Sequence, residues 1–167
     1  LTVAALLPRS WELRLVDLNV AELEERDLSW ADVVMVSGMG IQRASFHEVV
    51  ARAHAAGKRV VAGGPYVSTS PDEVPDVDHV VIGEAEDGIP ELARALEAGA
   101  DVPRRLQASE RPDVCRTPIP RYDLLDIERY DVISLQFSRG CPFNCEFCDI
   151  IEIFGRVPRT KSPEQVV

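Results

Sequence analysis

The chain has 167 residues, and its 18 Lys and Arg against 28 Asp and Glu give a formal net charge of −10. This balance argues against nucleic acid or an anionic membrane surface as the main partner, because both carry negative charge themselves. The length suits about one globular domain or slightly more, and no apolar run approaches the roughly 20 residues that span a bilayer.

The first hundred residues alternate between helix-like and strand-like patterns. Short apolar runs predict strands, and apolar residues that recur at i, i+3, i+4 and i+7 predict helices. Short buried strands that alternate with helices predict a parallel sheet in a doubly wound α/β fold. The predicted helices cover residues 2–7, 21–28, 46–56 and 88–98, and the predicted strands cover residues 12–18, 32–37, 59–62 and 79–82.

The last of these helices has its own start and stop signals. Asp87 is a predicted N-cap, Pro90 suits the first turn, and Gly99 ends the helix. Residues 100–130 are charged and contain several prolines, a composition typical of a linker. Cys115 lies in this linker and is interpreted as an ordinary free thiol, with a role as an extra metal ligand as the alternative.

Both ends of the chain resemble internal segments of a longer protein. Residues 2–7 resemble the end of a helix, so we expect the first strand of the sheet to be missing. Ser162 and Gln165 form a helix start close to the last residue. We therefore expect a fragment with three parts: a truncated sheet domain at residues 1–99, a linker at 100–130, and the start of a further domain at 131–167.

Three cysteines stand close together after an apolar, strand-like run. Cys141, Cys145 and Cys148 have C-x-x-x-C-x-x-C spacing. Such tight spacing suits a metal better than a disulfide. A structural zinc site usually has four ligands, and only three cysteines stand here. A redox C-x-x-C pair of Cys145 and Cys148 would leave Cys141 unexplained. Three soft thiolates on one loop predict an iron–sulfur cluster with one iron free for another ligand. Arg139 either offsets the negative charge of this cluster or is a solvated side chain.

The cysteine motif resembles that of the radical S-adenosylmethionine (radical SAM) superfamily, in which an aromatic residue precedes the last cysteine, as Phe147 does here. The resemblance implies that the three cysteines bind a [4Fe–4S] cluster, that SAM binds the open iron, and that Phe147 lies beside the adenine of SAM. It also implies an electron donor such as flavodoxin or ferredoxin, and a TIM-type barrel that begins at the cysteine loop. No secretory signal is visible, so we expect this oxygen-sensitive motif in the cytoplasm.

Loops that contain glycine follow three of the predicted strands, at the edge where doubly wound folds bind ligands. Glycine turns after strands are also common in sheets that bind nothing. Beside the cysteine loop, however, these turns resemble those of the cobalamin-binding Rossmann-like domain, and we expect residues 39–42 to cover the lower face of cobalt. The candidate cobalamin-binding residues are Ser37, Gly38, Met39, Gln42, Gly63, Gly64, Pro65, Gly83, Glu84 and Glu86.

Residues 120–125, 148–152 and 155–161 are similar to the subgroup of cobalamin-binding radical SAM enzymes that contains hopanoid C-2 methylases. This resemblance implies a methyltransferase that acts on an unactivated carbon of a small-molecule or lipid, hopanoid-like substrate. A radical derived from SAM would remove hydrogen, and methylcobalamin would deliver the methyl group. The 167 residues alone are expected to be inactive. Two alternatives stay open: a cobalamin-dependent radical SAM cyclase or rearrangement enzyme, and a non-catalytic zinc-binding module.

Overall fold

The computed structural model of the chain describes residues 1–107 and 110–166. Its helices and strands alternate through the first hundred residues, and shorter elements follow. The helices are α1 (Thr2–Leu6), α2 (Glu25–Trp30), α3 (Arg43–Ala55), α4 (Pro65–Thr69), α5 (Ala85–Glu97), α6 (Ile150–Phe154) and α7 (Pro163–Val166). The strands are β1 (Val33–Ser37), β2 (Arg59–Gly63), β3 (His79–Ile82), β4 (Arg105–Gln107), β5 (Ser138–Arg139) and β6 (Arg159–Thr160). None of these helices is long and apolar enough to cross a membrane.

The central feature is a parallel sheet of four strands in the order β1-β2-β3-β4. Val33 lies opposite Arg59 and Ser37 lies opposite Gly63, so β1 and β2 are in register along their whole length. Because successive side chains of a strand point to opposite faces, the apolar runs of these strands supply both faces with core residues. The predicted parallel α/β fold is confirmed.

Helices cover both faces of this sheet. On one face, Phe46 and Val50 of α3 and Tyr66 of α4 pack with Val60 and the other buried residues of that side. On the opposite face, Ile89 and Leu92 of α5 pack against Val61, Val81 and the partly buried side chains of α1. A sheet buried on both sides is typical of a doubly wound fold, and it fixes the carboxyl ends of three strands along one edge.

Residues 12–18 are not a strand, although their apolar pattern predicts one. They form no ladder with β1 or with any other strand of the described chain, and Leu15 and Leu18 are 40% and 46% exposed. A strand exists only where a neighbouring backbone completes its hydrogen bonds, and a pattern of side chains does not supply that neighbour. The strand prediction is therefore wrong for this chain as it stands.

Three helices begin at residues other than those predicted, and one of them is α3, which begins at Arg43 and not at residue 46. Helix α2 begins at Glu25 because the side chains and backbone N–H groups of Glu24 and Asp27 cap each other reciprocally. Helix α5 begins at Ala85, so Asp87 is not its N-cap and Pro90 lies inside it. Proline at that position removes a helical N–H, and the buried apolar face of α5 compensates for the loss.

The region after residue 99 also differs from the prediction. Strand β4 pairs with β3 from Val80↔Arg105 to Ile82↔Gln107, so the sheet extends past the predicted boundary at residue 99. The apolar run before the cysteines is not a strand. Only Ser138–Arg139 pairs, antiparallel with Arg159–Thr160, and not in the parallel manner of a TIM-type barrel. The helix start at Ser162 is confirmed, since its N–H donates to Gln165 Oε1 at 3.0 Å.

Candidate functional site

The loops after β1 and β2 touch at the carboxyl edge of the sheet. Gly38 O accepts a hydrogen bond from Tyr66 N at 3.0 Å, which joins the two loops. Gly64 has φ 90° and ψ −172°, a conformation that is open essentially to glycine alone. A Cβ at Gly64 would overlap Ser37 Oγ and lie 3.2 Å from Ser37 Cβ. Only glycine lets these two turns approach so closely.

A cavity of about 1340 Å³ opens beside these turns. It is lined by the predicted residues Ser37, Gly38, Gln42, Gly63, Gly64 and Gly83. Its other walls include residues 10–19, the edge strand β1, and parts of α1, α3 and α5. The volume exceeds the roughly 300–1,000 Å³ of pockets for drug-sized ligands, so a large ligand can enter.

Four predicted cobalamin contacts do not line this cavity: Met39, Pro65, Glu84 and Glu86. Met39 is 60% exposed at the start of its loop, and its N–H donates to Gln42 Oε1 at 2.9 Å. Pro65 is the first residue of α4, where a missing N–H costs nothing.

The side chains of Glu84 and Glu86 bind arginines instead. Glu84 is 2% exposed at its side chain, and Glu84 Oε2 lies 2.7 Å from Arg139 Nη1. The same Nη1 atom lies 2.6 Å from Glu86 Oε1. Arg159 Nη2 lies 2.6 Å from Glu84 Oε1, and Arg111 Nη1 lies 3.7 Å from that atom. We call these five residues the Glu84 ion-pair cluster.

Of the two expectations for Arg139, the solvated side chain is wrong, and the role of offsetting the charge of an iron–sulfur cluster stays a prediction. Its side chain is 8% exposed and engaged with two carboxylates. Arg159 stands opposite Arg139 in the β5–β6 pair. Because Arg139 precedes and Arg159 follows the segment with the three cysteines, both ends of that segment are held by Glu84.

The cysteine loop itself is closed by backbone contacts. Cys141 N donates to Gly155 O at 3.0 Å, and Cys148 N donates to Cys145 O at 3.2 Å. Gly140 has φ 88°, and a Cβ there would overlap Val157 O. All three cysteines have free thiols, with Cys145 exposed and the other two half-buried. Phe147, the predicted neighbour of adenine, is 91% exposed.

The three thiols do not converge on one point. Within residues 1–107 and 110–166, no group of three or more His, Cys, Asp or Glu side chains is arranged to hold a single metal ion. Ligands of an iron–sulfur cluster bind separate irons, so they need not converge as the ligands of one zinc ion must. The cluster assignment stays a prediction that rests on the donor set and its spacing.

Cys115 approaches the cysteine segment from the linker. Its Sγ lies 3.4 Å from Thr160 O, and Gln165 Nε2 donates to Cys115 O at 2.7 Å. The linker therefore lies against β6 and α7, and Cys115 is exposed there without joining the other cysteines.

Residues 1–93 match the family model described as B12 binding domain. The match includes the glycine turns and most of the residues that line the cavity. The chain belongs to the B12-binding domain family. It is 49% identical over its whole length to an uncharacterized methyltransferase of Synechocystis sp., of which it covers 31%.

Two further relatives of this B12-binding chain have specific names. It is 41% identical over its whole length to the hopanoid C-2 methylase of Rhodopseudomonas palustris, of which it covers 32%. It is 29% identical to the hopanoid C-3 methylase of Methylococcus capsulatus, over 93% of the chain and 36% of that protein. The chain thus spans about a third of the length of the curated relatives it matches.

Sequence reasoning about this B12-binding chain missed the partners of Glu84. Arg111 lies outside every motif noted in the sequence, and Arg159 lies in residues 155–161, which were noted only for their family resemblance. The two arginines contact Glu84 across 27 and 75 positions of sequence respectively. Ser68 was missed as well, although its Oγ accepts a hydrogen bond from Gly83 N at 2.9 Å. Contacts between residues so far apart leave no periodic signal in the chain.

Proposed function

We propose that this chain is the cofactor-binding part of a cobalamin-dependent radical SAM methyltransferase. The observation that carries the proposal is the placement of a three-cysteine loop against the carboxyl edge of a B12-binding sheet, where Glu84 joins the two. Ligands of doubly wound folds bind at this edge, so the two candidate sites lie on the same side of the sheet.

The cavity beside Ser37 and Gly64 fits cobalamin. Glycine at 38, 63 and 64 keeps side chains out of the wall, so a bulky ligand can lie directly against the backbone of two strand ends. Gln42 and Ser37 supply polar groups at the same wall. These residues would hold the buried part of the cofactor and exclude water from it.

Cys141, Cys145 and Cys148 fit a [4Fe–4S] cluster by their chemistry. Thiolates are the ligands that such clusters prefer, and three of them leave one iron for SAM. Bound cobalamin would carry the methyl group, and the cluster with SAM would activate the substrate carbon. The chain's own part is to hold the loop: Gly140 permits its sharp entry, and Cys141 N–H fixes it to Gly155 O.

The names of the relatives support methyl transfer, and two of them are hopanoid methylases. We propose a small-molecule or lipid substrate for this protein too, with a hopanoid-like molecule as the first to test. The protein would draw electrons from a donor such as flavodoxin or ferredoxin and would work in the cytoplasm.

Cobalamin binding is tested with hydroxocobalamin. We expect the protein to retain it through a desalting column, and we expect Gly38→Val to weaken binding at least about tenfold. A Cβ at Gly38 meets its neighbours at 3.5 Å or more, and circular dichroism checks that the larger valine leaves the fold intact. Gly40→Val is the matched control, because a Cβ there meets nothing within 4 Å and Gly40 does not line the cavity. Failure of the wild-type protein to retain cobalamin would contradict the proposal.

The cluster is tested by anaerobic reconstitution with iron and sulfide. We expect a brown protein whose visible absorption is lost in Cys141→Ser, Cys145→Ser and Cys148→Ser, with Cys115→Ser as the unaffected control. A colourless protein with one zinc bound would support the zinc-binding module instead. Turnover is tested in the full-length protein that contains this chain. With SAM that carries a deuterated methyl group, a labelled product indicates methyl transfer, and an unlabelled, rearranged product indicates the cyclase alternative.

A further inference from the structure

We infer that Glu84 is a positioning residue that fixes the cysteine loop against the cobalamin edge of the sheet. The role of Glu84 in positioning the two cofactors rests on the proposed function. The anchoring of residues 140–158 by the carboxylate of Glu84 rests only on contacts within the chain.

The location of Glu84 makes it suitable for this role. It follows Gly83, which has φ 82° at the end of β3, and it precedes the first residue of α5. Gly83 lines the cavity with Ser37 and Gly64. A residue at this turn is therefore fixed relative to the cobalamin edge by a strand on one side and a helix on the other.

The two arginines that hold Glu84 mark the two ends of the cysteine loop. Arg139 Nη1 contacts one carboxylate oxygen and Arg159 Nη2 contacts the other. Arg159 Nη1 also donates to Glu84 Oε2 at 3.2 Å, so this pair is bidentate. Bidentate arginine–carboxylate pairs fix orientation as well as distance, which a single lysine contact would not do.

Neighbouring groups hold the arginines in place. Arg139 Nε donates to Gln136 Oε1 at 2.8 Å, and Arg159 Nη1 donates to Pro112 O at 2.6 Å. Arg159 Nη2 also donates to Phe154 O at 3.1 Å, within the loop itself. Thr117 Oγ1 donates to Glu86 Oε1 at 2.9 Å. The linker and the cysteine loop thus both meet at the Glu84 ion-pair cluster.

Charge and burial show that the contact is more than a surface pair. Glu84 is 2% exposed and Arg139 is 8% exposed at their side chains, and a buried carboxylate without partners is strongly disfavoured. Loss of the charge on Glu84 would leave Arg139 and Arg159 buried with Glu86 as the remaining carboxylate of the cluster. The loop would then separate from the sheet while the sheet itself stays folded.

The test is Glu84→Gln, with Asp76→Asn as the matched control. Asp76 pairs with Arg104, and its side chain is 91% exposed, so its loss should change nothing. Hydrogen exchange of the cofactor-free protein is compared at residues 138–160 and at β1–β3. We expect Glu84→Gln to speed exchange in residues 138–160 at least about tenfold and to leave β1–β3 unchanged. Unchanged exchange in the loop, or an equal increase in the sheet, would overturn the inference.

A milder variant serves if Glu84→Gln does not fold. Arg139→Lys keeps the charge but cannot contact Glu84, Glu86 and Gln136 together, so we expect an intermediate increase of exchange in the same residues. No increase would again contradict the anchoring.

The loaded protein provides a second measurement. In Glu84→Gln we expect the iron–sulfur cluster and cobalamin each to bind. The magnetic interaction between the reduced iron–sulfur cluster and Co(II) cobalamin should change. An unchanged interaction would contradict the positioning role. If neither cofactor binds to the wild-type protein, the proposed function fails, and hydrogen exchange still decides whether Glu84 anchors the loop.

Discussion

Replacing Gly64 by alanine tests whether the turns after β1 and β2 need glycine to approach each other at the carboxyl edge of the sheet. The φ of 90° and ψ of −172° at Gly64 cost an alanine about 1–3 kcal/mol. Overlap of the new Cβ with Ser37 Oγ adds about 1–3 kcal/mol, as overpacking usually does. We therefore expect Gly64→Ala to lower the free energy of unfolding by about 2–6 kcal/mol.

The matched control is Gly99→Ala. Gly99 has φ 61° but a Cβ there meets nothing within 4 Å, so only the backbone cost of about 1–2 kcal/mol is expected. Urea unfolding followed by circular dichroism measures both variants.

A double variant separates overlap from backbone strain. Ser37→Ala removes the Oγ that Gly64→Ala would strike and leaves a Cβ contact of 3.2 Å. Combined with Gly64→Ala, it should recover most of the overlap cost, and the two changes should be non-additive by at least about 1 kcal/mol. Additive effects, or a Gly64→Ala cost no larger than that of Gly99→Ala, would refute the explanation.

Three further predictions concern other parts of the chain. Leu92→Ala, at a side chain that is fully buried in α5, should cost about 2–5 kcal/mol in urea unfolding. Thr117→Val should cost about 1.5–3 kcal/mol by the same measurement, because the carboxylate of Glu86 loses a partly buried hydrogen bond. A hydrogen bond from the N–H of Asn19 lowers the pKa of Asp17 in the folded protein. The charged carboxylate of Asp17 therefore stabilises the fold above its unfolded pKa near 3.8. This stabilisation is lost as the pH falls through the lower pKa of the folded state. Asp17→Asn should therefore flatten the acid side of the stability–pH curve.

The elements predicted best are those whose signal is local. Val60, Val61 and Ala62 form an uninterrupted apolar run, and such a run is expected of a strand covered on both faces. The face of α3 that carries Phe46 and Val50 repeats with the helical period, and Gly57 ends it with φ 69°. Residues close in sequence determine these features, so the sequence alone was sufficient.

The wrong or incomplete predictions depend on distant partners. Residues 12–18 carry a strand pattern, but no strand of the described chain forms a ladder with them. The contacts of Glu84 and Glu86 were missed because their shared partner, Arg139, lies 55 and 53 positions away from them in sequence. The fourth strand, Arg105–Gln107, is only three residues long, and its pairing with β3 is what makes it a strand.

Anchoring both ends of the cysteine loop has a consequence for how a cofactor could be assembled. Closing a free segment of about 19 residues costs about 2.6 kcal/mol in chain entropy, by the (3/2)RT ln n relation. In this chain Glu84, Arg139 and Arg159 close the segment through contacts between protein side chains alone. If Cys141, Cys145 and Cys148 bind the proposed cluster, these ion pairs would already confine the thiols, and less chain entropy would be lost when iron and sulfide bind.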